Sequence, residues 1–230
     1  MIVHRDGRCV VVDKPSGIAT HRGWGGHDDG DDPLLQRVRD AVGCYVYPVH
    51  RLDRGASGLV LFALDSGAAR EFSLAWPEAD KRYLAITRGH PPDHLMIDHA
   101  IPRAPGEDRV DARTEIWRRE TFGRYALVEA RLHTGRLHQI RRHLKHISCP
   151  LIGDVRYGKG EHNRIFRTEH ALHRLALHCT GLVVAHPDGT TLAVHSPLPG
   201  DLTAAIASCR QRYAADASAA GRATPGDPGV

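Results

Sequence analysis

The feature that most constrains this fold is a series of β-forming runs that follow one another without a helix between them. Runs rich in Val, Leu, Ile and Tyr predict strands at 8–13, 44–53, 57–64, 81–89, 95–101, 110–118, 124–133, 181–185 and 191–195. Helices are predicted over 33–43, 65–76, 136–147 and 202–213. Parallel strands need long crossovers, so this order predicts an α+β fold with a mixed, largely antiparallel sheet, flanked by helices and loops.

The length of 230 residues and the hydrophobic content of 41% suit a single globular domain. We assign residues 1–213 to that domain. Residues 214–230 are small, polar and rich in Pro and Gly, which predicts a disordered C-terminal tail.

Several classes of protein are disfavoured by the sequence. No apolar run approaches the ~20 residues that span a bilayer, and the N-terminal segment becomes polar too early for a secretory signal. We therefore expect a cytoplasmic protein without a membrane partner. The five cysteines form no C-x-x-C pair, so we expect reduced thiols and no zinc knuckle.

The net charge of +4 and the pI near 8.9 permit a polyanionic partner without requiring one. The acidic cluster at 28–32 lacks the ligand spacing and closing Glu of an EF-hand. We interpret it as a solvated loop that caps the following helix.

The segment 50–58, His-Arg-Leu-Asp-Arg-Gly-Ala-Ser-Gly, lies between two strong strand predictions. Arg51 and Arg54 flank Asp53, and their charges favour an ionised carboxylate that can act as nucleophile, base or metal ligand. An Arg–Asp surface pair in a turn is the alternative, and composition by itself favours that alternative.

The segment 133–147 begins a predicted helix with a basic face. Arg141 and Lys145 are four residues apart and Arg142 is beside them, which suits phosphate contacts or simply a solvated helix. The histidines of this helix are not spaced like the i,i+4 pair of a zinc-binding helix. We therefore predict no metal site here.

The segment 50–58 resembles the signature H-R-L-D-x-x-(T/S)-S-G of the RluA-type pseudouridine synthases, with Ala56 in place of the Thr or Ser. Further motifs of that family are matched in order by KRYLA at 81–85, TGRLHQIRRHL at 134–144 and PLIGDVRYG at 150–158. The segment VVVDKPSGIATH at 10–21 resembles the family's opening strand and loop. The resemblance extends from about residue 8 to about residue 197.

The resemblance implies the pseudouridine synthase fold, with a catalytic cleft along the sheet and Asp53 as the nucleophile. It further implies that Tyr83 stacks on the target base and takes part in proton transfer, and that Arg136 pairs with the catalytic carboxylate. Arg51 would fill the gap left by a flipped-out uridine, with His50 beside it on the substrate side.

Other residues are expected to contact the pocket or the RNA. Ile140 would pack against the pocket, and Arg141 and Arg142 would bind substrate from the basic helix. The stretch 158–178 and the segment THRGW resemble the branch that acts on uridine 65 of transfer RNA. Arg164, with Arg167 and His170, would then contact RNA phosphates from a loop.

The implied isomerisation needs no cofactor and no metal. We expect a monomer that binds RNA, with transfer RNA as its substrate, and that does not bind DNA. The chain has no room for the S4-like domain that some members of the family carry. Three alternatives stay open: a ribosomal-RNA-directed synthase, an RNA-binding module without catalysis, and a metal-dependent hydrolase that uses the histidines.

Overall fold

The computed structural model describes residues 1–21, 32–103 and 106–220, which form a mixed sheet with packed helices. The strands are β1 (Ile2–Arg5), β2 (Cys9–Lys14), β3 (Tyr47–Pro48), β4 (Ser57–Ala63), β5 (Asp80–Arg88), β6 (His94–Asp98), β7 (Ile101–Pro102), β8 (Arg109–Val110), β9 (Arg113–Phe122), β10 (Tyr125–Leu132), β11 (Leu177–Ala185) and β12 (Thr191–His195). The α-helices are α1 (Leu34–Val42), α2 (Ser66–Ala75), α3 (Gln139–His146), α4 (Gly160–Glu169) and α5 (Gly200–Ala220).

The sheet combines one parallel contact with antiparallel pairings. Within the described residues, the strand order is β1-β2-β4-β11-β5-β10-β9-β6, while β3 pairs with β4 and β12 with β11. β4 and β11 run parallel, and the other pairs in this sheet are antiparallel. β7 and β8 form a separate hairpin. The predicted α+β fold with a mixed, largely antiparallel sheet is confirmed.

The two faces of β5 serve different purposes, because successive side chains on a strand point to opposite faces. Leu84 lies against Leu202 and Ile206 of α5 on one face. Tyr83 points to the other face, where it lines a cavity together with Ile140 of α3. The sheet thus separates the packing of the C-terminal helix from the candidate site.

Helix α1 agrees closely with the sequence prediction. It spans Leu34–Val42, and Gly43 follows it with φ 78°, a left-handed conformation that glycine adopts without strain. The predicted capping by the acidic loop is not made by Asp32, because α1 begins after Pro33 without a side-chain cap. Residues 28–31 lie outside the described residues.

The structure departs from the sequence prediction at β3 and at α4. The strand predicted over 44–53 is wrong except for Tyr47–Pro48. Val49 N–H still donates to the Leu61 carbonyl, but the Leu61 N–H bonds the His50 side chain, so the backbone ladder with β4 ends there. Helix α4 was not predicted, since only Ile165 and Phe166 are apolar in this short, polar segment.

The C-terminal helix is longer than predicted. Helix α5 continues to Ala220, so residues 214–220 are helical although they were assigned to the disordered tail. The physical reason is their alanine content, because alanine has the highest helix propensity. Residues 221–230 lie outside the described residues, and the single domain over 1–213 stays a prediction.

None of the helices described is both long enough and apolar enough to cross a lipid bilayer.

Candidate active site

The loop that carries Asp53 is anchored from the segment after β2. Lys14 is fully buried, and its Nζ donates to the carbonyls of Pro15 (3.0 Å), Ile18 (2.9 Å) and Arg54 (3.3 Å). Burial, with a smaller contribution from a neighbouring arginine, lowers the pKa of Lys14 to about 8. The amine therefore fixes one end of the Asp53 loop, and its side chain cannot reach a substrate.

The other end of this loop depends on Gly58. Gly58 has φ 111°, and a Cβ there would lie 2.3 Å from the Cys179 carbonyl oxygen. Only glycine allows β4 to begin this close to β11. The neighbouring Ser57 hydroxyl accepts a hydrogen bond from Arg174 Nη2 at 2.6 Å. The loop is therefore fixed on both sides of Asp53.

Asp53 is paired with Arg141 of helix α3. Arg141 Nη1 donates to Asp53 Oδ2 at 3.0 Å, and the Asp53 side chain is 17% exposed. Burial would lower the pKa of Arg141, but its hydrogen bonds to Asp154 and Asp53 outweigh burial and raise it. A cation therefore lies beside the Asp53 carboxylate.

The pairing expected for Arg136 is made by Arg141, which corrects the sequence prediction. Arg136 lies in the turn before α3, is exposed, and donates from Nε to the Asp111 carbonyl at 3.1 Å. Arg141 lies inside the first turns of α3, where its side chain points into the protein. Arg136 still lines the same cavities as Asp53, and its catalytic role stays a prediction.

Tyr83 is buried beside Asp53. Burial raises its pKa well above the usual value, and Cys179 and Asp53 add to that effect. The phenol therefore stays protonated at neutral pH. Its ring can stack on another ring and its hydroxyl can donate a hydrogen bond, but the hydroxyl cannot act as a base without first losing its proton.

Asp53 lies where two cavities adjoin. The smaller, of about 70 Å³, extends toward Ile140 and Leu177. The larger, of about 470 Å³, extends toward Trp76 and Lys81 and is within the size range of small-molecule sites. Six residues line both cavities: Arg51, Asp53, Tyr83, Leu132, Arg136 and His138.

The two residues before Leu52 have different environments. Arg51 is exposed and lines both cavities, so its guanidinium is available at the mouth of the site. His50 stacks on Trp76 with ring centroids 4.3 Å apart, and its Nε2 accepts from the Leu61 N–H at 3.1 Å. Burial lowers the pKa of His50 to about 3. A neutral His50 therefore supports the wall, while Arg51 is free to meet a ligand.

The start of α3 holds a residue that sequence reasoning considered only as a metal ligand. His138 has φ 56°, and its Nε2 lies 3.8 Å from Asp53 Oδ1. Gln139 supports this turn, because its Oε1 accepts from the Arg136 N–H at 3.0 Å. Neither the positive φ of His138 nor its contact with Asp53, which is distant in sequence, could be predicted from the sequence beyond the motif itself.

A wider cleft of about 730 Å³ lies on the other side of the Asp53 loop. Its cations are Lys14 and Arg174, and both are hydrogen-bonded to the surrounding protein. Size alone would favour this cleft, but Asp53 and Tyr83 line the other two cavities and not this one.

Comparison with known proteins now decides the family. The family model described as RNA pseudouridylate synthase matches residues 8–146. The chain belongs to this family. The resemblance to RluA-type synthases is thereby confirmed, and the enzyme class is that of an RNA pseudouridine synthase.

Several relatives of this synthase carry the same name. A protein of Pasteurella multocida named tRNA pseudouridine synthase C is 36% identical over 209 residues, covering 81% of this chain and 86% of its own. A protein of the same name from Vibrio parahaemolyticus is 34% identical, with 81% and 85% covered.

Solved structures support the fold of the synthase. Human RNA pseudouridylate synthase domain containing 4 superposes with a TM-score of 0.73 at 24% identity, covering 91% of this chain and 92% of its own. The human domain-containing 1 protein gives 0.72, also at 24% identity, with 99% and 96% covered.

Two of the predicted RNA contacts are differently placed in the synthase. Arg164 is exposed on α4, which is a helix where a loop was expected. His170 is buried and forms a hydrogen bond between its Nδ1 and Ser208 Oγ at 2.8 Å, so it does not face RNA. Arg142 donates from Nε to the Tyr157 hydroxyl at 3.1 Å, which leaves its substrate role a prediction.

The helix histidines of the synthase do not converge on a metal. His143 bonds Thr114 Oγ1 and the His99 carbonyl, both at 2.9 Å. Within the ranges described, potential ligand atoms cluster at His4, Asp6 and Cys9, in the turn between β1 and β2. Asp6 accepts hydrogen bonds from both neighbours there, and none of the three lines the Asp53 cavities.

Proposed function

We propose that this protein isomerises uridine 65 of transfer RNA to pseudouridine, with Asp53 as the nucleophile. The observation that carries the proposal is the position of Asp53, which lies between two cavities, paired with Arg141 and beside Tyr83. The relatives named tRNA pseudouridine synthase C support transfer RNA as the substrate class.

The isomerisation breaks the N1–C1′ bond, turns the uracil, and forms a C5–C1′ bond. The hydrogen at C5 leaves as a proton and N1 gains one, so no electrons are exchanged and no group donor is needed. Asp53 either attacks C1′ or assists formation of a glycal intermediate. Both routes use the Asp53 carboxylate, which Arg141 holds by a hydrogen bond to Oδ2.

The target nucleotide must leave its stack before Asp53 can reach C1′. Arg51 is exposed at the mouth of the cavity, and a long, planar cation can fill the space that a flipped base leaves. Tyr83 would stack on the extruded uracil and donate from its protonated hydroxyl.

The RNA backbone would approach beside α3. Arg142, Lys145 and Arg156 surround the Tyr157 ring, with their cationic groups 6.0, 5.8 and 5.5 Å from its centroid. Such a group of cations contacts phosphates without reading sequence. Arg164 would add a further phosphate contact from α4.

We further infer a cytoplasmic monomer whose one catalytic domain covers residues 1–213. The reaction requires no cofactor, no metal and no DNA. Ribosomal RNA is the second candidate substrate, because the same chemistry would serve it. A binding module without catalysis is disfavoured by the complete set of pocket residues.

The test is pseudouridine mapping by carbodiimide labelling and primer extension, on unmodified transfer RNA and on ribosomal RNA fragments. The reactions contain EDTA and no added cofactor. We expect one new stop, at position 65 of transfer RNA. A stop only on ribosomal RNA would overturn the substrate, a chelator-sensitive reaction would favour the hydrolase class, and binding without any stop would favour the non-catalytic module.

A further inference from the structure

Asp154 is the most completely bonded carboxylate near the site, although it does not line the Asp53 cavities. Its side chain is 0% exposed. Oδ2 accepts from Arg141 Nε at 2.7 Å, and Oδ1 accepts from Arg141 Nη2 and from the N–H groups of Arg156 and Tyr157, each at 2.9 Å. Burial by itself would raise the pKa of Asp154, but these hydrogen bonds outweigh burial and lower that pKa. Asp154 is therefore a fixed anion behind Arg141.

Arg141 is held on three sides by this arrangement. Nε and Nη2 face Asp154, Nη1 faces Asp53, and the guanidinium carbon lies 5.1 Å from the Tyr157 ring centroid. A bidentate contact fixes the plane of a guanidinium, whereas a single contact leaves it free to rotate. Only one N–H of Arg141 is therefore directed at Asp53.

We propose that Asp154 is a positioning residue, which orients Arg141 so that it supports the Asp53 carboxylate through one oxygen. The inference rests on the proposed function of Asp53. Without the anion at 154, the guanidinium would turn its free N–H groups toward Asp53, the other carboxylate it contacts in the described part of the chain. Asp53 would then be held by both oxygens and turned away from C1′.

The backbone around Asp154 fits this role. Gly153 has φ 75°, and a Cβ there would lie 1.9 Å from the Arg174 carbonyl oxygen, so the loop must pass close to that segment. Asn163 accepts from the Gly153 N–H at 2.8 Å and donates to the Asp154 carbonyl at 3.0 Å. The loop is thus fixed independently of Arg141, which makes the carboxylate a rigid reference for the guanidinium.

Two variants separate charge from shape. Asp154→Asn keeps the size but removes the charge and one acceptor, while Asp154→Glu keeps the charge but moves it by one methylene. The matched control is Glu120→Gln, because Glu120 also holds an arginine, Arg210, by a bidentate contact far along β9. All variants are assayed as full chains below their own melting temperatures.

The measurements are steady-state kcat and KM on whichever RNA the wild type modifies, with crystal structures of the wild type and Asp154→Asn. We expect kcat to fall about 10–100-fold in Asp154→Asn while KM stays within about threefold, as for a misplaced catalytic group. Asp154→Glu restores part of the rate, because it keeps the negative charge behind Arg141.

Two results would overturn the proposal. One is a kcat within about twofold of wild type in correctly folded Asp154→Asn, which would make Asp154 purely structural. The other is a crystal structure of Asp154→Asn with the Arg141–Asp53 contact unchanged. A wild type that modifies no RNA would instead overturn the proposed function, and the crystal structures would still decide the positioning role.

Discussion

Two bidentate arginine–carboxylate pairs stabilise different regions of this molecule. Behind the active-site pocket, Arg141 contacts Asp154 at 2.7 and 2.9 Å. On the outer surface between β9 and α5, Arg210 contacts Glu120 at 2.9 and 2.7 Å. The two pairs are equivalent in local geometry.

Burial and a third partner distinguish them. The side chains of Arg141 and Asp154 are 11% and 0% exposed, whereas those of Arg210 and Glu120 are 56% and 33% exposed. Breaking a buried pair leaves an unpaired charge away from water, while a surface pair is replaced by solvent. Of these two pairs, only the buried one is joined to Asp53, the proposed nucleophile, so its geometry bears on the proposed chemistry.

The largest expected effect is that of Asp53→Asn. Removing the nucleophile should lower turnover by at least about 10⁴-fold while the fold and RNA binding are kept. Tritium release from RNA labelled at C5 of uridine measures it, with the exposed Asp98→Asn as control. Multiple turnover by the Asp53 variant would contradict the assignment.

Arg141→Ala should be costly in both stability and rate. It leaves Asp154 buried without its cation, and we expect a loss of about 3–5 kcal/mol in the free energy of unfolding. Urea unfolding measures this, with Arg210→Ala as the matched control. Equal losses in the two variants would contradict the contrast between the regions.

The acid dependence of stability should differ between the wild type and Asp154→Asn. The pKa of Asp154 is lower in the folded protein than in the unfolded chain. Its contribution to stability is therefore fully present above the unfolded-state pKa and is lost as the pH falls through the folded-state pKa. The wild-type advantage over Asp154→Asn should therefore shrink below about pH 4, near the ordinary pKa of Asp. Urea unfolding of both proteins between neutral pH and pH 3 measures this. A difference in the free energy of unfolding that stays constant with pH would contradict the prediction.

Arg136→Ala should slow the reaction with little effect on stability. Its side chain is exposed and bonded to one carbonyl, so the unfolding free energy should change by about 0.5 kcal/mol or less. The rate should fall because Arg136 lines both cavities. An unchanged rate would remove Arg136 from the site.

Glu120→Gln should have the smallest effect. An exposed pair contributes about 0–1 kcal/mol, and the activity should not change. The pKa of Glu120 is lowered chiefly by its hydrogen bond from Arg210, so the small loss should vanish in acid. Thermal unfolding at neutral and acid pH measures it, and a loss as large as that of Arg141→Ala would contradict the comparison.

Much of this site was predictable because its residues lie in short contiguous motifs. The segment 50–58 predicted Asp53 as the nucleophile, which stays a prediction. The family resemblance predicted that Tyr83 and Ile140 lie at the same pocket as Asp53, and all three line one cavity. Position along the chain did not reveal which arginine faces Asp53. His138 has a positive φ at the turn before α3, Arg141 is buried within α3, and Arg136 is exposed before the turn.

The fold was predictable where strands are apolar and uninterrupted, as in β2 and β4. It was less predictable where composition and propensity disagree. The alanines near the end of α5 favour helix, although the small and polar composition of this segment predicted a disordered tail. Helix α4 has too few apolar residues to show a helical period.

The most direct test of the central claim compares Arg141→Ala and Arg136→Ala in single-turnover tritium release at saturating enzyme. If the buried Arg141 supports the nucleophile, its loss should slow the chemical step about 100-fold, and the loss of Arg136 by about tenfold or less. The reverse order, with Arg136 the more costly loss, would contradict the Asp53–Arg141 pairing as the functional one.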